Sequence, residues 1–162
     1  MLTMKARYAI RALTALARSE ATAPLMTHDI ARRENIPPRF LGGILLELRQ
    51  HELLVSRRGR GGGYTLRHAP DEITVAAVIN AVDGPLGSEP CVSPDVRRSC
   101  AECPNFHGCG PRLVLDRIYS ATISALERTT IGELARRADA SRQSRSPLKN
   151  ALLVVTRLES NP

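Results

Sequence analysis

The sequence predicts a mainly α-helical fold with a small β wing, a winged helix-turn-helix domain carrying a long dimerisation helix. Three observations predict it. Two stretches of helical periodicity meet at Asn35-Ile36-Pro37-Pro38, with the tight spacing of a helix-turn-helix. Two β-like tetrapeptides follow, separated by Arg57-Arg58-Gly59-Arg60-Gly61-Gly62. A long apolar stripe then runs on from Pro111.

The elements follow in order. Residues 4–18 place Ala6, Ala9, Ile10, Leu13, Leu16 and Ala17 at helical spacing, with Arg7, Arg11 and Arg18 off the stripe. After a break at 21–24, THDIARREN reads as a short helix with Thr27 as its N-cap and Asn35 closing it. Pro38 suits the first turn of a third helix that runs to about Gln50, because its missing N–H has no partner there in any case. That helix is expected to turn Phe40, Leu41, Ile44, Leu45 and Leu48 inward, and Arg39, Glu47 and Arg49 outward. Leu53–Ser56 and Gly63–Leu66 read as strands of a hairpin whose glycine- and arginine-rich tip is a wing. Its glycines permit close backbone approach to a phosphate strand, and its arginines suit a narrow minor groove. No helix follows the glycines and no Lys-Ser/Thr ends the run, so it is not a nucleotide-binding loop.

Residues 73–82 form a further apolar helix, stopped at Asp83-Gly84-Pro85. The long helix from Pro111 carries Leu113, Val114, Leu115, Ile118, Ala121, Thr122, Ala125 and Leu126. A helix this apolar beside a small domain calls for a partner, and a symmetric second copy is the natural one, since DNA half-sites mirror two-fold protein symmetry. Thr130 and Glu133 are spaced as a capping box for a last short helix. The organisation expected is a DNA-binding domain over 1–84, a cysteine loop over 85–110, a dimerisation helix with its short successor over 111–138, and a disordered tail over 139–162.

Charge is unevenly spread. The net charge of +7 resides in residues 1–68, which hold twelve Lys/Arg against five acids, while the remainder carries eleven of each sign. A basic half joined to a neutral half is the footprint of a polyanion-binding module attached to something else. The N-terminus shows no apolar run long enough for a signal or a membrane span, so a cytoplasmic protein without membrane contact is expected. No nucleophile–base pair, carboxylate dyad or substrate-binding glycine motif appears in context, which argues against an enzyme.

All four cysteines fall in one Pro/Gly-rich stretch, as Cys91-x8-Cys100-x2-Cys103-x5-Cys109. In a reducing compartment such a cluster points to metal ligation rather than structural disulfides. Four thiolates suit a [2Fe–2S] or [4Fe–4S] cluster, and they also suit zinc. A zinc ribbon prefers two CxxC pairs, and only Cys100-Ala101-Glu102-Cys103 has that spacing, so the looser set fits the larger iron–sulfur cluster better. Zinc, and metal-free thiol redox chemistry, stay as alternatives. His107 within the loop is a possible stand-in ligand, whereas His28, His51 and His68 read as surface residues.

LTMKARYAIRAL, IARRENIPPRFLGGILLELRQHELLVSRRGRGGGYTL and ITVAAVINAVDGPL, followed by clustered cysteines and a long helix, resemble the IscR/NsrR/RirA superfamily of bacterial regulators over about residues 1–138. The resemblance implies a dimeric winged helix-turn-helix factor, with an iron–sulfur cluster in the loop of its sensor members reporting iron supply, redox state or nitric oxide. Family sensors commonly use three loop cysteines, the last two separated by five residues, which matches Cys103 and Cys109; the first maps to Cys91 or Cys100. Two recognised fourth ligands are replaced here: a histidine three residues after the last cysteine by Arg112, and an aspartate from the partner's first helix by Arg7. The set Cys91, Cys100, Cys103 and Cys109 is therefore expected to supply the ligands.

For DNA, the resemblance matches Arg58 to an arginine inserted in the minor groove, with Arg57 and Arg60 adding phosphate contacts. Arg39 and Phe40 lie where base edges are reached. Thr3 and Lys5 at the head of the first helix complete the expected DNA-contacting set. The resemblance has one departure: IscR-type members place Glu-Gln where this chain has Gly42-Gly43, so either the backbone approaches DNA closely there or Arg39 and the wing carry specificity. The function expected is a transcription regulator, a repressor or an activator, that binds double-stranded operator DNA under iron–sulfur control. The alternatives are the same regulator using zinc or thiol redox chemistry, and an iron–sulfur electron carrier, which leaves the arginine-rich wing unexplained.

Overall fold

The alanine-rich face of the first helix sets the packing of the whole domain. In the computed structural model, which describes residues 2–19, 23–59, 61–85, 92 and 108–142, α1 spans Met4–Ala17 and buries Ala6, Ala9, Ala12, Leu13 and Leu16. Small side chains on that stripe let neighbouring helices approach closely, and α2 (Thr27–Glu34), α3 (Pro38–Gln50) and α4 (Val75–Asp83) all pack on it. The core between them is aliphatic. Ile30, Leu41, Leu45, Leu48, Leu54, Ile73, Val78, Ile79 and Ile131 are fully enclosed. Truncating one of them, such as Leu45, to alanine costs about 2–5 kcal/mol.

The turn between α2 and α3 forms as its residues dictate. Asn35 takes a left-handed conformation (φ 48°, ψ 49°), its N–H bonding back to the Arg32 carbonyl. Ile36 donates to the Ala31 carbonyl at 2.9 Å and is buried, pinning the corner to the core. Pro38 then opens α3. The start of α2 departs from expectation. Thr27 is already helical and Met26 is the N-cap without a side-chain bond, because the Met26 carbonyl takes the first helical hydrogen bond, from Ile30 at 3.1 Å.

The wing is a two-stranded antiparallel sheet, β1 (Leu54–Arg57) and β2 (Gly63–Leu66), in register from Leu54↔Leu66 to Arg57↔Gly63. The first strand begins one residue later than the sequence suggested. Leu53 belongs to the exit from α3: Glu52 sits at φ 60°, and Leu53 donates to the Leu48 carbonyl at 2.9 Å. The sheet is anchored by paired bonds between Leu25 and Tyr64, at 2.9 and 3.0 Å. That anchor explains Gly63, which stands at φ 142° with the Leu25 carbonyl where a Cβ would lie.

Helix α4 likewise starts two residues after the expected position. Thr74 is its N-cap, accepting from Ala77 N–H at 3.1 Å, and Ile73 is held in extended form by a 2.9 Å bond from Ile131 N–H. Helix α5 (Gly110–Arg128) follows the cysteine segment, and α6 covers 131–142. Thr130 caps α6 by accepting from Glu133 N–H at 3.2 Å, but Glu133 pairs with Arg137 at 2.8 Å, so the anticipated capping box is formed in only one direction. The expected disordered tail does not begin at 139. Residues 139–142 continue α6, and Asp139 pairs with Arg18 of α1 at 2.6 Å. The rest of the expected tail, 143–162, lies outside the described residues. Among the described residues no helix is long and apolar enough to cross a membrane.

Candidate nucleic-acid interface and cysteine loop

The first turn of α3 presents two of the expected DNA-contacting side chains together. Arg39 lies over the Phe40 ring, its guanidinium carbon 4.7 Å from the ring centroid. Phe40 is 48% exposed, not turned inward as the helical pattern had indicated. The reason is angular. Leu41, Ile44, Leu45 and Leu48 already fill the buried stripe, and Phe40 falls outside it, on the face of Gly43 and Glu47.

That face borders a cavity of about 560 Å³ lined by Met4, Lys5, Tyr8, Phe40, Ile44 and Glu47 among others. Gly42 and Gly43 are both exposed, and a Cβ built on either meets nothing within 4 Å. Neither glycine is required by the packing of this chain. The backbone there is left bare toward solvent.

The wing tip carries Arg57 and Arg58, both exposed. A tight turn forms it, with Gly62 donating to the Gly59 carbonyl at 2.9 Å and Gly59 at φ 99°. Arg60 lies outside the described residues. Between wing and α2 runs a second groove of about 450 Å³, lined by Met26, Thr27, His28, Pro38, Arg57 and the wing glycines. It opens at the N-terminus of α2, which has no side-chain cap. Such a helix end offers N–H groups and a positive dipole to an anion.

Ion pairing sorts the basic residues. Arg11, Arg18, Arg32, Arg67, Arg136 and Arg137 are each within 4 Å of a carboxylate. Among the described residues Arg39, Arg57 and Arg58 form no such pair, and neither do Arg7, Arg33 and Arg49 of the same domain. Thr3 and Lys5 differ from them. Thr3 caps α1 and hydrogen-bonds Asp83, while Lys5 pairs with Glu47 and bonds the Val82 carbonyl. Sequence reasoning missed these ties, and outward placement on α3 was the only signal for Glu47.

Of the cysteines, the described residues include Cys109 alone; Cys91, Cys100 and Cys103, with His107, lie outside them. Cys109 is the N-cap of α5, half-buried and with no side-chain cap bond. An anionic group at that point faces the positive end of the helix dipole. Val92, next to Cys91, is buried. Among the described residues no three His, Cys, Asp or Glu side chains converge on a metal-sized site. Helix α5 buries none of its own side chains, and Leu113, Val114 and Ile118 are 60%, 58% and 58% exposed. The apolar stripe read from the sequence is therefore bare on its N-terminal half.

Known proteins are similar to this chain in sequence and in fold. A family model described as Rrf2, iron-dependent transcriptional regulator, matches residues 2–137. An rrf2-like HTH-type transcriptional regulator of Rhodobacter capsulatus is 33% identical over 137 residues, covering 83% of this chain and 91% of the relative. The HTH-type transcriptional regulator IscR of Aliivibrio salmonicida is 33% identical over 133 residues, covering 82% and 76%. Among solved structures, CymR, the global cysteine regulator of B. subtilis, superposes with a TM-score of 0.70 at 28% identity, over 85% of this chain and 97% of CymR. IscR of T. potens has the same fold, with a TM-score of 0.67 at 20% identity over 87% and 90%.

Proposed function

The chain belongs to the Rrf2 family of transcriptional regulators, and we propose that it binds operator DNA as a homodimer whose affinity is set by an iron–sulfur cluster held by Cys91, Cys100, Cys103 and Cys109. The observation that carries the DNA half is the unpaired basic set on one domain, with Arg39 on α3 and Arg57 and Arg58 on the wing. Helix α3 enters the major groove by its first turn, where Arg39 and Phe40 meet base edges. The wing arginines, with Arg60, engage phosphates and the minor groove. The groove between α2 and the wing takes a further phosphate. Lys5 lines the same cavity as Arg39 and Phe40, and Thr3, the N-cap two residues before it, completes the proposed DNA-contacting set.

Dimerisation uses the exposed half of α5. A 19-residue helix is about 28 Å long. Two such helices packed through Leu113, Val114 and Ile118 supply the apolar centre of an interface of the usual size, about 800 Å² per partner. Removal of those side chains from water in both copies is the driving force.

The donor set fits an iron–sulfur cluster better than a lone ion. Cysteine thiolates hold such clusters, the spacing is loose, and Cys109 sits at the N-terminus of α5, which suits the negative charge of a thiolate-ligated centre. A bound cluster supplies one-electron chemistry and lability toward oxidants. The protein's own part is to link the loop to the dimer helix through Cys109 and to the DNA-binding domain through the end of α4. Purification without oxygen, with iron, acid-labile sulfide and zinc counted per chain, tests this reading: stoichiometric iron and sulfide support it, and one zinc without colour replaces it. Cys103→Ser and Cys109→Ser should each abolish iron binding, and full iron retention by both would overturn the assignment. A second reading, thiol oxidation without metal, is favoured by the likeness to CymR, of which an oxidised form from Staphylococcus aureus matches with a TM-score of 0.65 at 25% identity, over 83% of this chain and 95% of that one.

A further inference from the structure

Two functional parts of this molecule meet at the head of α1. Thr3 Oγ1 accepts from Ala6 N–H at 3.0 Å, closing the helix, and its hydroxyl donates to Asp83 Oδ2 at 2.6 Å. Two residues on, Lys5 Nζ donates to the Val82 carbonyl and pairs with Glu47 Oε2 at 2.7 Å. Val82 and Asp83 form the last turn of α4, after which Gly84 takes φ 83° and the chain enters the segment that carries the cysteines. Glu47 stands on α3, lining the same cavity as Arg39 and Phe40.

The chemistry of the three partners explains why Lys5 is held. The carbonyls of a helix's final turn lack intrahelical donors and carry the negative end of its dipole, so Val82 offers Lys5 a directed acceptor. Glu47 supplies a full negative charge. A carboxylate on the DNA-facing helix would repel phosphates unless compensated, and Lys5 compensates it. The ammonium is thus shared between the exit of α4 and the helix proposed to read DNA.

We propose that Lys5 relays the state of the cysteine loop to α3: when the end of α4 is reorganised, the Val82 carbonyl turns away, Lys5 shifts, and Glu47 changes the charge it presents to the cavity that Arg39 and Phe40 also line. The inference rests on the reading of the cysteine loop as the sensor. Its dependence on a side-chain ion pair means that it can be removed without unfolding the domain. Both partners are part-exposed, where such pairs contribute little to stability.

The test uses full-length protein and a duplex selected in vitro with the wild type. Operator affinity is measured by fluorescence anisotropy for iron-loaded and metal-free protein, in wild type, Lys5→Met, Glu47→Gln and the double variant. If the relay operates, the ratio of the two affinities moves toward one by about threefold or more in each single variant, with little further change in the double variant. Iron and sulfide content stay at wild-type levels. Equal weakening of both states by Lys5→Met, with the ratio preserved, overturns the proposal and makes Lys5 a plain phosphate contact. A wild-type ratio of one overturns the sensor reading instead. The mechanical link from α4 to α3 is then tested on its own by amide hydrogen exchange: faster exchange in α3 of Lys5→Met and of Asp83→Ala sustains that link, and unchanged exchange in both removes it.

Discussion

Replacing Gly42 and Gly43 by alanine sets fold stability against DNA affinity at the face proposed to read the operator. Both glycines lie within α3, exposed, with nothing within 4 Å of where an alanine methyl would stand and no positive φ to preserve. A glycine in a helix interior is less favourable than alanine by about 0.8–1.0 kcal/mol, chiefly through the entropy of the unfolded chain. Adjacent helix positions do not face each other, so the two gains should add to about 1–2 kcal/mol. For a domain of this size that raises the melting temperature by roughly 3–8 °C. Urea titration at constant m-value measures the gain, and anisotropy on a selected duplex measures binding. The expected outcome is a more stable protein that binds at least about tenfold more weakly, a loss of about 1.4 kcal/mol, because methyl groups intrude where backbone had approached DNA. Loss of stability would refute the open-helix reasoning. A gain in stability with wild-type affinity would refute the close approach and leave base reading to Arg39 and the wing.

Arg58→Ala should weaken operator binding by about 1–3 kcal/mol and lower the salt dependence of binding by about one counterion, measured by anisotropy across a salt series; unchanged affinity at moderate salt would count against the wing. Ile118→Asp places a charge on the bare face of α5 and should yield monomers by light scattering with a circular dichroism spectrum like the wild type's; a persisting dimer would move the interface elsewhere. Gly63→Ala should destabilise the domain by about 1–3 kcal/mol, since the new Cβ meets the Leu25 carbonyl and strains a backbone at φ 142°; a neutral result in denaturant titration would show that the wing is not anchored through Leu25.

Periodicity made the helices legible. The spacing of Ala6, Ala9, Leu13 and Leu16 marked α1, Asn35 and the two prolines marked the turn, and Pro38 marked the start of α3, because each of those features is local. Helix and strand ends set by distant backbone partners were not legible. Ile73 is held out of α4 by Ile131, and Leu53 is held out of β1 by Leu48. Phe40 shows the same limit within one helix. It satisfies an apolar pattern, yet the stripe is already full, so its exposure depends on how many side chains the core can take. Asp139 looked like the start of a polar tail because Arg18, its partner, lies far away in sequence. The candidate DNA residues were readable as residue types. Which arginines stay unpaired was not, since that follows from where the acids fold.

Lys5 is the sharpest case of a residue whose task is set by the fold. By composition it is one more basic residue in a basic domain, and counting charge assigns it to DNA. In the fold it stands between a helix C-terminus and a carboxylate, so part of its charge is already spoken for. Arg39 lines the same cavity with no carboxylate paired to it. On the proposed reading two cations on one surface have different tasks: Arg39, with no carboxylate partner among the described residues, meets phosphate or base, and the paired Lys5 sets how negative the helix beside it is. A regulator needs both, because a surface made only of unpaired cations would bind DNA in every state of the loop. Control requires some of the charge on the DNA face to be held by a part of the chain that the signal can move, and the end of α4, which leads into the cysteine segment, touches that charge through the Val82 carbonyl.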